Sequence, residues 1–244
     1  MSDISIIYTF EIPGGGKVTY PITLDAKTIS LITRDERPPP SWTELDNCRC
    51  SICPLTPDDH PHCPIAVNIS RLVEYFQDVR STDVMKITVT TKERSYFKEA
   101  PAQRGLASIL GIIMPTSGCP VMNFLKPMAR FHLPFSTSSE TIIRSTSIYM
   151  LSQYFVAKRG GKPDIALEKL NRAYSDVQQV NEGICNRIVK VVKNKDAEAT
   201  TNAIVILDTF SQLLGMEIDD KLDSLAYLFE TGGFVERRHK SEHQ

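Results

Sequence analysis

The chain lacks an excess of charge of either sign. Its 28 lysines and arginines nearly balance 29 aspartates and glutamates, for a formal net charge of -1. Proteins that bind nucleic acid through their overall electrostatics carry a basic excess, so nucleic acid is a disfavoured partner. Long apolar runs are also missing. The longest, at 106–114 and 203–207, are far too short to span a bilayer core of about 30 Å, and we expect no membrane association.

The N-terminus lacks the features of a secretory signal. Asp3 stands where a signal peptide would carry lysine or arginine, and no small-residue cleavage site follows an apolar run. We therefore expect a cytoplasmic protein, in which thiols stay reduced. Under that expectation the six cysteines of the chain are free or metal-binding and do not form a disulfide framework.

Familiar catalytic motifs are absent from the sequence. It has no HExxH zinc motif, no dinucleotide fingerprint and no Gly-x-Ser-x-Gly elbow. The run from Gly14 to Gly16 precedes Lys17, but it lacks the spacing of a phosphate loop and is typical of a hairpin turn. The sequence thus leaves open whether the protein is an enzyme.

Strand patterns come first along the chain and helical patterns follow. Alternating apolar residues predict one hairpin at 4–10 and 18–24, a third candidate strand at 28–33, and a second hairpin at 84–90 and 94–97. This order predicts an α+β fold with N-terminal β-hairpins and a C-terminal helical bundle. We divide the chain into a strand-rich part (1–100, including a metal-binding loop at 48–63), a helical part (101–235) and a frayed tail (236–244).

Helical spacing and end signals place the helices. A capping box formed by Thr137 and Glu140 begins a helix that ends at about residue 158. We interpret four basic residues as a solvated face of one helix and its exit: Arg187, Lys190, Lys193 and Lys195. We interpret the apolar faces of the last two helices as core, which could also support a homodimer. The other predicted helices lie at 65–76, 103–114, 121–130, 164–193, 197–214 and 219–229.

The segment from Cys48 to Cys63 contains the strongest functional signal. Six soft or borderline ligands crowd into it: Cys48, Cys50, Cys53, His60, His62 and Cys63. Structural zinc takes four cysteine or histidine ligands in a tetrahedron, at distances of about 2.0–2.3 Å. The Cys-x-x-Cys spacing of Cys50 and Cys53 allows both thiolates to reach one ion from a tight turn. The segment therefore predicts a zinc site.

The fourth ligand is predicted from a repeated dipeptide. Cys53, Cys63 and Cys119 each precede a proline, which fixes φ and removes a backbone donor. We therefore predict the ligand set Cys50, Cys53, Cys63 and Cys119. Cys48, His60 and His62 are alternatives to Cys119, whereas Cys185, on an apolar helix, is expected in the core.

Three alternatives stay open. Four thiolates also suit an iron–sulfur cluster, although the spacing does not match a ferredoxin run. An enzyme could have an open metal site with only three protein ligands, or it could use Cys119 as nucleophile, His132 as base and Arg130 as anion holder. Such an enzyme would need a pocket lined by Arg130, His132, Glu140 and Arg144. A redox sensor, in which oxidation of the thiolates releases the ion, is a third alternative.

The sequence resembles a bacterial protein family of uncharacterised function. The resemblance rests on the run that begins at Trp42, on its Cys-Pro-Leu and Cys-Pro-Ile elements, and on Ser117-Gly118-Cys119-Pro120 followed by the stretch 128–135. It implies a cytoplasmic bacterial protein and no particular activity or ligand. The expected function comes from the residues instead: four thiolates leave no obvious open coordination position, and catalytic zinc usually keeps one. We expect a cytosolic zinc-binding protein with a structural metal, acting as a regulatory or interaction module that could bind a protein partner.

Overall fold

The computed structural model describes residues 2–33, 37–193 and 218–230. The chain forms two compact units. The first comprises Met1–Ser136 and Arg172–Gly215, and the second comprises Thr137–Asn171 and Met216–Gln244. The sheet and the predicted metal loop both belong to the first unit, so the α+β class of the sequence prediction is confirmed there.

One four-stranded antiparallel sheet organises the first unit. Its strands are β1 (Ile4–Ile12), β2 (Gly16–Leu24), β3 (Val84–Thr91) and β4 (Ser95–Pro101), in the spatial order β2-β1-β3-β4. Both predicted hairpins are therefore confirmed. Gly14 and Gly15 take φ values of 96° and 104° in the first turn, which a residue with a Cβ adopts only with strain.

The predicted third strand at 28–33 is wrong. Only an isolated bridge between Leu24 and Leu31 forms there. The cause is a turn: the Asp25 carboxylate accepts a hydrogen bond of 2.7 Å from the Thr28 backbone amide, and Ile29 has a φ of 53°. These features break the extended backbone that a strand needs.

The inner face of the sheet forms the core. Ile6, Tyr8 and Phe10 of β1 alternate inward, and register places Phe10 opposite the buried Ile87 of β3. Two helices supply many of the remaining core residues, α1 (Pro64–Tyr75) and α2 (Ala102–Thr116). Of the helices in the described ranges, none is by itself long and apolar enough to cross a membrane, and α2 passes that test only together with the following segment to Arg130, across a bend of 112°.

Several predicted helix bounds shift for local reasons. The helix predicted at 103–114 continues to Thr116 and includes Pro115 in its last turn. The helix predicted at 121–130 is a 3-10 helix, Pro120–Leu125, followed by a short α3, Lys126–Arg130. Pro127 lies at the start of α3, where its missing N–H has no helical partner to lose.

The second unit contains α4 (Ser138–Lys158), the start of α5 (Glu168–Lys193), α6 (Ile218–Leu225) and α7 (Tyr227–Glu230). The predicted capping box is confirmed, because Glu140 N donates to Thr137 Oγ1 at 3.2 Å and Thr137 N donates to the Glu140 carboxylate at 2.7 Å. α5 begins four residues later than predicted, since Asp164 accepts from the Lys169 amide instead of entering the helix. The predicted helix at 197–214 and tail at 236–244 lie outside the described residues.

Gly105 is where α2 comes closest to the sheet. A Cβ there would lie 2.6 Å from both Ile87 Cδ1 and Phe10 Cε1. We predict that Gly105→Ala lowers the free energy of unfolding by about 1–3 kcal/mol through overpacking. Gly111→Ala on the same helix is the control: its Cβ meets nothing within 4 Å, and it should stabilise by up to about 1 kcal/mol. Urea unfolding measures both, and equal effects would contradict this packing.

Candidate metal centre

The four predicted cysteine ligands line one cavity of the first unit. Cys50, Cys53, Cys63 and Cys119 share its wall with apolar residues, and about 10 Å³ inside is open to a water-sized particle. That is roughly the room that one water molecule needs. The apolar lining residues are Leu55, Pro64, Ile65, Val121, Val180 and Ile184.

The cysteines reach the cavity from three separate segments. Cys50 and Cys53 lie on one turn, closed by a backbone hydrogen bond of 3.0 Å from Cys53 N to Cys50 O. Cys63 directly precedes α1, and Cys119 directly precedes the 3-10 helix Pro120–Leu125. Folding thus brings together side chains as far apart in sequence as Cys50 and Cys119.

Cys63 and Cys119 are presented in the same way. Each is the residue before a helix whose first position is proline, with φ and ψ of −68° and 119° at Cys63 and −66° and 121° at Cys119. Proline restricts the preceding residue to this extended region. The repeated Cys-Pro dipeptide therefore has a common structural meaning at these two positions.

Burial and the backbone amides at the helix starts shift the pKa of these two thiols in opposite directions. Burial raises the pKa of Cys63, and the nearby Ala66 and Ile65 amides lower it, although no cap hydrogen bond to the side chain is formed. Burial likewise raises the pKa of Cys119, and the Met122 and Val121 amides lower it. Backbone N–H groups at a helix start favour a thiolate over a thiol.

The pKa of Cys50 depends on burial and on the other three cysteines. Burial raises its pKa to about 12, and the proximity of Cys63, Cys53 and Cys119 also raises it, whereas Arg187 lowers it. Four anionic sulfurs cannot share so small a space without a compensating cation. As the side chains stand, no three His, Cys, Asp or Glu residues of the described ranges are arranged to hold an ion, so binding would require the sulfurs to draw together.

Helix α5 forms the wall behind Cys50. The Cys50 thiol lies 3.9 Å from the Val180 carbonyl oxygen, its acceptor. At Gly183 an added Cβ would fall on the Cys50 sulfur and lie 3.2 Å from the Cys50 Cβ. The glycine is therefore required by close approach of the cysteine turn to the helix.

Arg187 lies one turn further along α5 and is buried, with 1% of its surface exposed. Its Nη1 donates to the carbonyl oxygens of Trp42, at 3.0 Å, and Glu44. Its Nη2 donates to those of Leu45, at 3.1 Å, and Cys48, at 3.3 Å. The interpretation of Arg187 as part of a solvated basic face is wrong, because the loop carbonyls replace its water, whereas Lys190 is exposed as predicted.

A second arginine holds the loop from the solvent side. Arg49 is exposed, and its Nη2 donates to the carbonyl oxygens of Cys53, at 3.0 Å, and Leu55. Backbone contacts add to this: Leu45 N donates to Pro61 O at 2.8 Å, and Cys63 N donates to Thr43 O at 2.7 Å. The two ends of the loop are thereby paired.

The alternative ligands lie elsewhere on the loop. Cys48 is half-buried with a φ of 61°, and its carbonyl faces Arg187. His60 is exposed, and the Nδ1 of His62 is 2.8 Å from Thr43 Oγ1. Cys185 is half-buried and packs against the core, and burial raises its pKa to about 12. None of these four residues lines the cavity.

The residues of the alternative thiol enzyme are placed differently. His132 Nε2 lies 2.6 Å from Tyr8 Oη and 3.4 Å from Ser108 Oγ. Tyr8 Oη is also 2.8 Å from Ser108 Oγ, and burial raises the pKa of this phenol. Cys119 instead faces the cysteine cavity. The Arg130 guanidinium lies over the Phe131 ring, and Glu140 and Arg144 belong to the second unit.

A comparison with protein families shows which family the chain belongs to. The family described as a domain of unknown function (DUF6901) matches residues 6–230. The chain belongs to this family. The match spans the sheet, the cysteine cavity and the described helices, and it agrees with the resemblance to an uncharacterised family seen in the sequence. No curated protein and no solved structure matches the chain.

The close approach at Gly183 gives a testable consequence. Gly183→Ala should push the Cys50 turn off α5 and lower the free energy of unfolding by about 1–3 kcal/mol, in spite of its better helix propensity. Glu182→Ala, at the exposed neighbouring position, is the matched control and should change it by at most about 0.5 kcal/mol. Chemical denaturation measures both, and a Gly183→Ala protein as stable as the control would refute the contact.

Proposed function

We propose that the protein binds one Zn²⁺ through Cys50, Cys53, Cys63 and Cys119 and that the metal is structural. The observation that supports this is that these four cysteines, from three separate segments, line one small cavity. The rest of the cavity wall is apolar, so sulfur is the only abundant ligand type there. Thiolates are soft ligands, and four of them in a tetrahedron are typical of zinc.

Zinc binding would require the four cysteine sulfurs to move toward one another. Cysteine has one side-chain torsion that moves its sulfur among three staggered positions, so thiols around a shared cavity can turn toward a common point. Zinc binds the deprotonated form and displaces the thiol protons, which offsets the raised pKa of Cys50. The bound ion would then connect the cysteine turn to the starts of α1 and the 3-10 helix.

A closed site of this kind favours a structural role over a catalytic one. Catalytic zinc keeps one coordination position open for water or substrate, whereas four protein thiolates leave none. An enzyme remains the alternative if one cysteine is not a ligand, or if Cys119 acts with His132. An iron–sulfur cluster or a redox sensor on the same thiols is the other alternative.

Because four thiolate ligands would leave the proposed zinc no open coordination position, we propose that the protein acts as a regulatory or interaction module in the cytoplasm. Leu151, Tyr154 and Phe155 of α4, in the second unit, support this proposal, because 56%, 57% and 45% of their surfaces are exposed. Exposed apolar side chains on one face of a helix are common where a protein partner or a second copy binds. A homodimer could also form through the apolar faces of the late helices. On the described part of these helices, Leu225 is buried and Phe229 is half exposed.

Metal content after purification tests the site directly. We expect about one equivalent of zinc per chain by elemental analysis, and its loss on substitution of Cys50, Cys53, Cys63 or Cys119 by serine. Cys48→Ser and Cys185→Ser are the matched controls and should keep the metal, since neither side chain lines the cavity. Zinc retention in Cys119→Ser, with loss in Cys48→Ser, would move the fourth ligand to Cys48.

X-ray absorption at the zinc edge tests the closed geometry. Four sulfurs at about 2.3 Å are expected for the proposed site. Three sulfurs with one lighter atom would instead favour an open site and the enzyme alternative. A brown protein that absorbs at about 400 nm, as cluster charge-transfer bands do, would show an iron–sulfur cluster in place of zinc.

A further inference from the structure

The charge of Arg187 has no anionic partner in the described structure. Its guanidinium is buried and donates to four carbonyl oxygens, all of them neutral, and its Nε has no hydrogen-bond partner among the described residues. No carboxylate of the described residues forms an ion pair with it. Burying a charge is destabilising unless an opposite charge lies near.

The cysteine turn packs on the same face of α5 as Arg187. Residues 180, 183, 184 and 187 are spaced by three, four and seven positions, so they lie on one face of α5. Val180 and Ile184 line the cysteine cavity, Gly183 contacts Cys50, and Arg187 is the next member of the series. The Arg187 guanidinium also donates to the carbonyl oxygen of Cys48, two residues before Cys50, at 3.3 Å.

We infer that Arg187 is the counter-charge of the metal centre: its buried cation stabilises the net negative charge of a zinc ion held by four thiolates. This inference rests on the proposed function. Four thiolates around Zn²⁺ leave a double negative charge in an apolar wall, which is itself costly there. One guanidinium beside it offsets both costs, and its hydrogen bonds to the loop carbonyls fix its position.

A charge role and a purely structural role predict different results for two substitutions. Arg187→Met keeps an apolar stem and removes the charge, so it should weaken zinc binding by about 10–100-fold, the usual effect of losing an outer partner of a metal site. Arg187→Lys keeps the charge, so its zinc affinity should stay close to that of the unchanged protein. Competition with a chromophoric chelator measures the affinity at fixed pH.

Lys190 provides the matched control. It is the next basic residue along α5 and is exposed to solvent, where its charge is screened. Lys190→Met should therefore leave zinc affinity unchanged. Equal losses in Arg187→Lys and Arg187→Met would overturn the counter-charge role in favour of hydrogen-bond geometry, and an unchanged affinity in Arg187→Met would overturn it outright.

A measurement on the unsubstituted protein covers the case in which Arg187→Met does not fold. The side-chain ¹⁵Nε signal of Arg187, assigned by its loss in Arg187→Lys, should shift when zinc is added to the metal-free protein. The signal of Arg80, which pairs with Asp83 at the surface, should not. A zinc-dependent change elsewhere in the spectrum without a shift at Arg187 would contradict this inference alone. A protein that takes up no zinc would contradict the proposed function.

Discussion

The first unit depends on how a loop without regular structure is held in place. From Glu44 to Cys63 the backbone forms no helix and no strand, only one isolated bridge between Glu44 and His62. Loops beyond about 12–15 residues without secondary structure are uncommon in compact domains. Here side chains replace the backbone hydrogen bonds that a helix or strand would supply. Arg187 donates to the loop carbonyls from the interior, and Arg49 donates to them from the solvent side. Along the chain, Cys50 lies between the carbonyls bound by Arg187 and those bound by Arg49.

Helix α5 is adapted to this loop position by position. Gly183 removes the side chain where the cysteine turn comes closest, Ile184 supplies apolar wall, and Arg187 supplies a cation where four carbonyl oxygens converge. A helix face that combines a missing side chain, an aliphatic one and a buried charge is unsuited to a plain hydrophobic core. It is suited to a neighbour that is close, polar along its backbone and able to carry negative charge.

Local signals in the sequence were enough to predict much of the fold, and they failed where distant contacts decide. Alternation predicted the two hairpins, and Thr137 with Glu140 predicted the start of α4, because each signal acts within a few residues. Arg187 was misread, since a basic residue near the end of a helix usually points to solvent. Its true signal was its position in the apolar series with Val177, Val180 and Ile184, which only the packed loop explains. The Cys-Pro repeat was informative because proline restricts the backbone of the cysteine before it.

Two of the candidate ligands belong to the hydrophobic core and two belong to the irregular loop. Cys63 and Cys119 are buried members of the main hydrophobic core, where the helices that follow them determine their backbones. Cys50 and Cys53 are half-buried and belong to the irregular loop. An ion that bridges the two pairs would convert a loop held by hydrogen bonds to carbonyls into one held also by metal–sulfur bonds, while the sheet and α2 would not need it to pack. Occupancy of such a site would therefore control the loop and its contact with α5 more strongly than the core, which is the behaviour expected of a structural metal in a regulatory or interaction module.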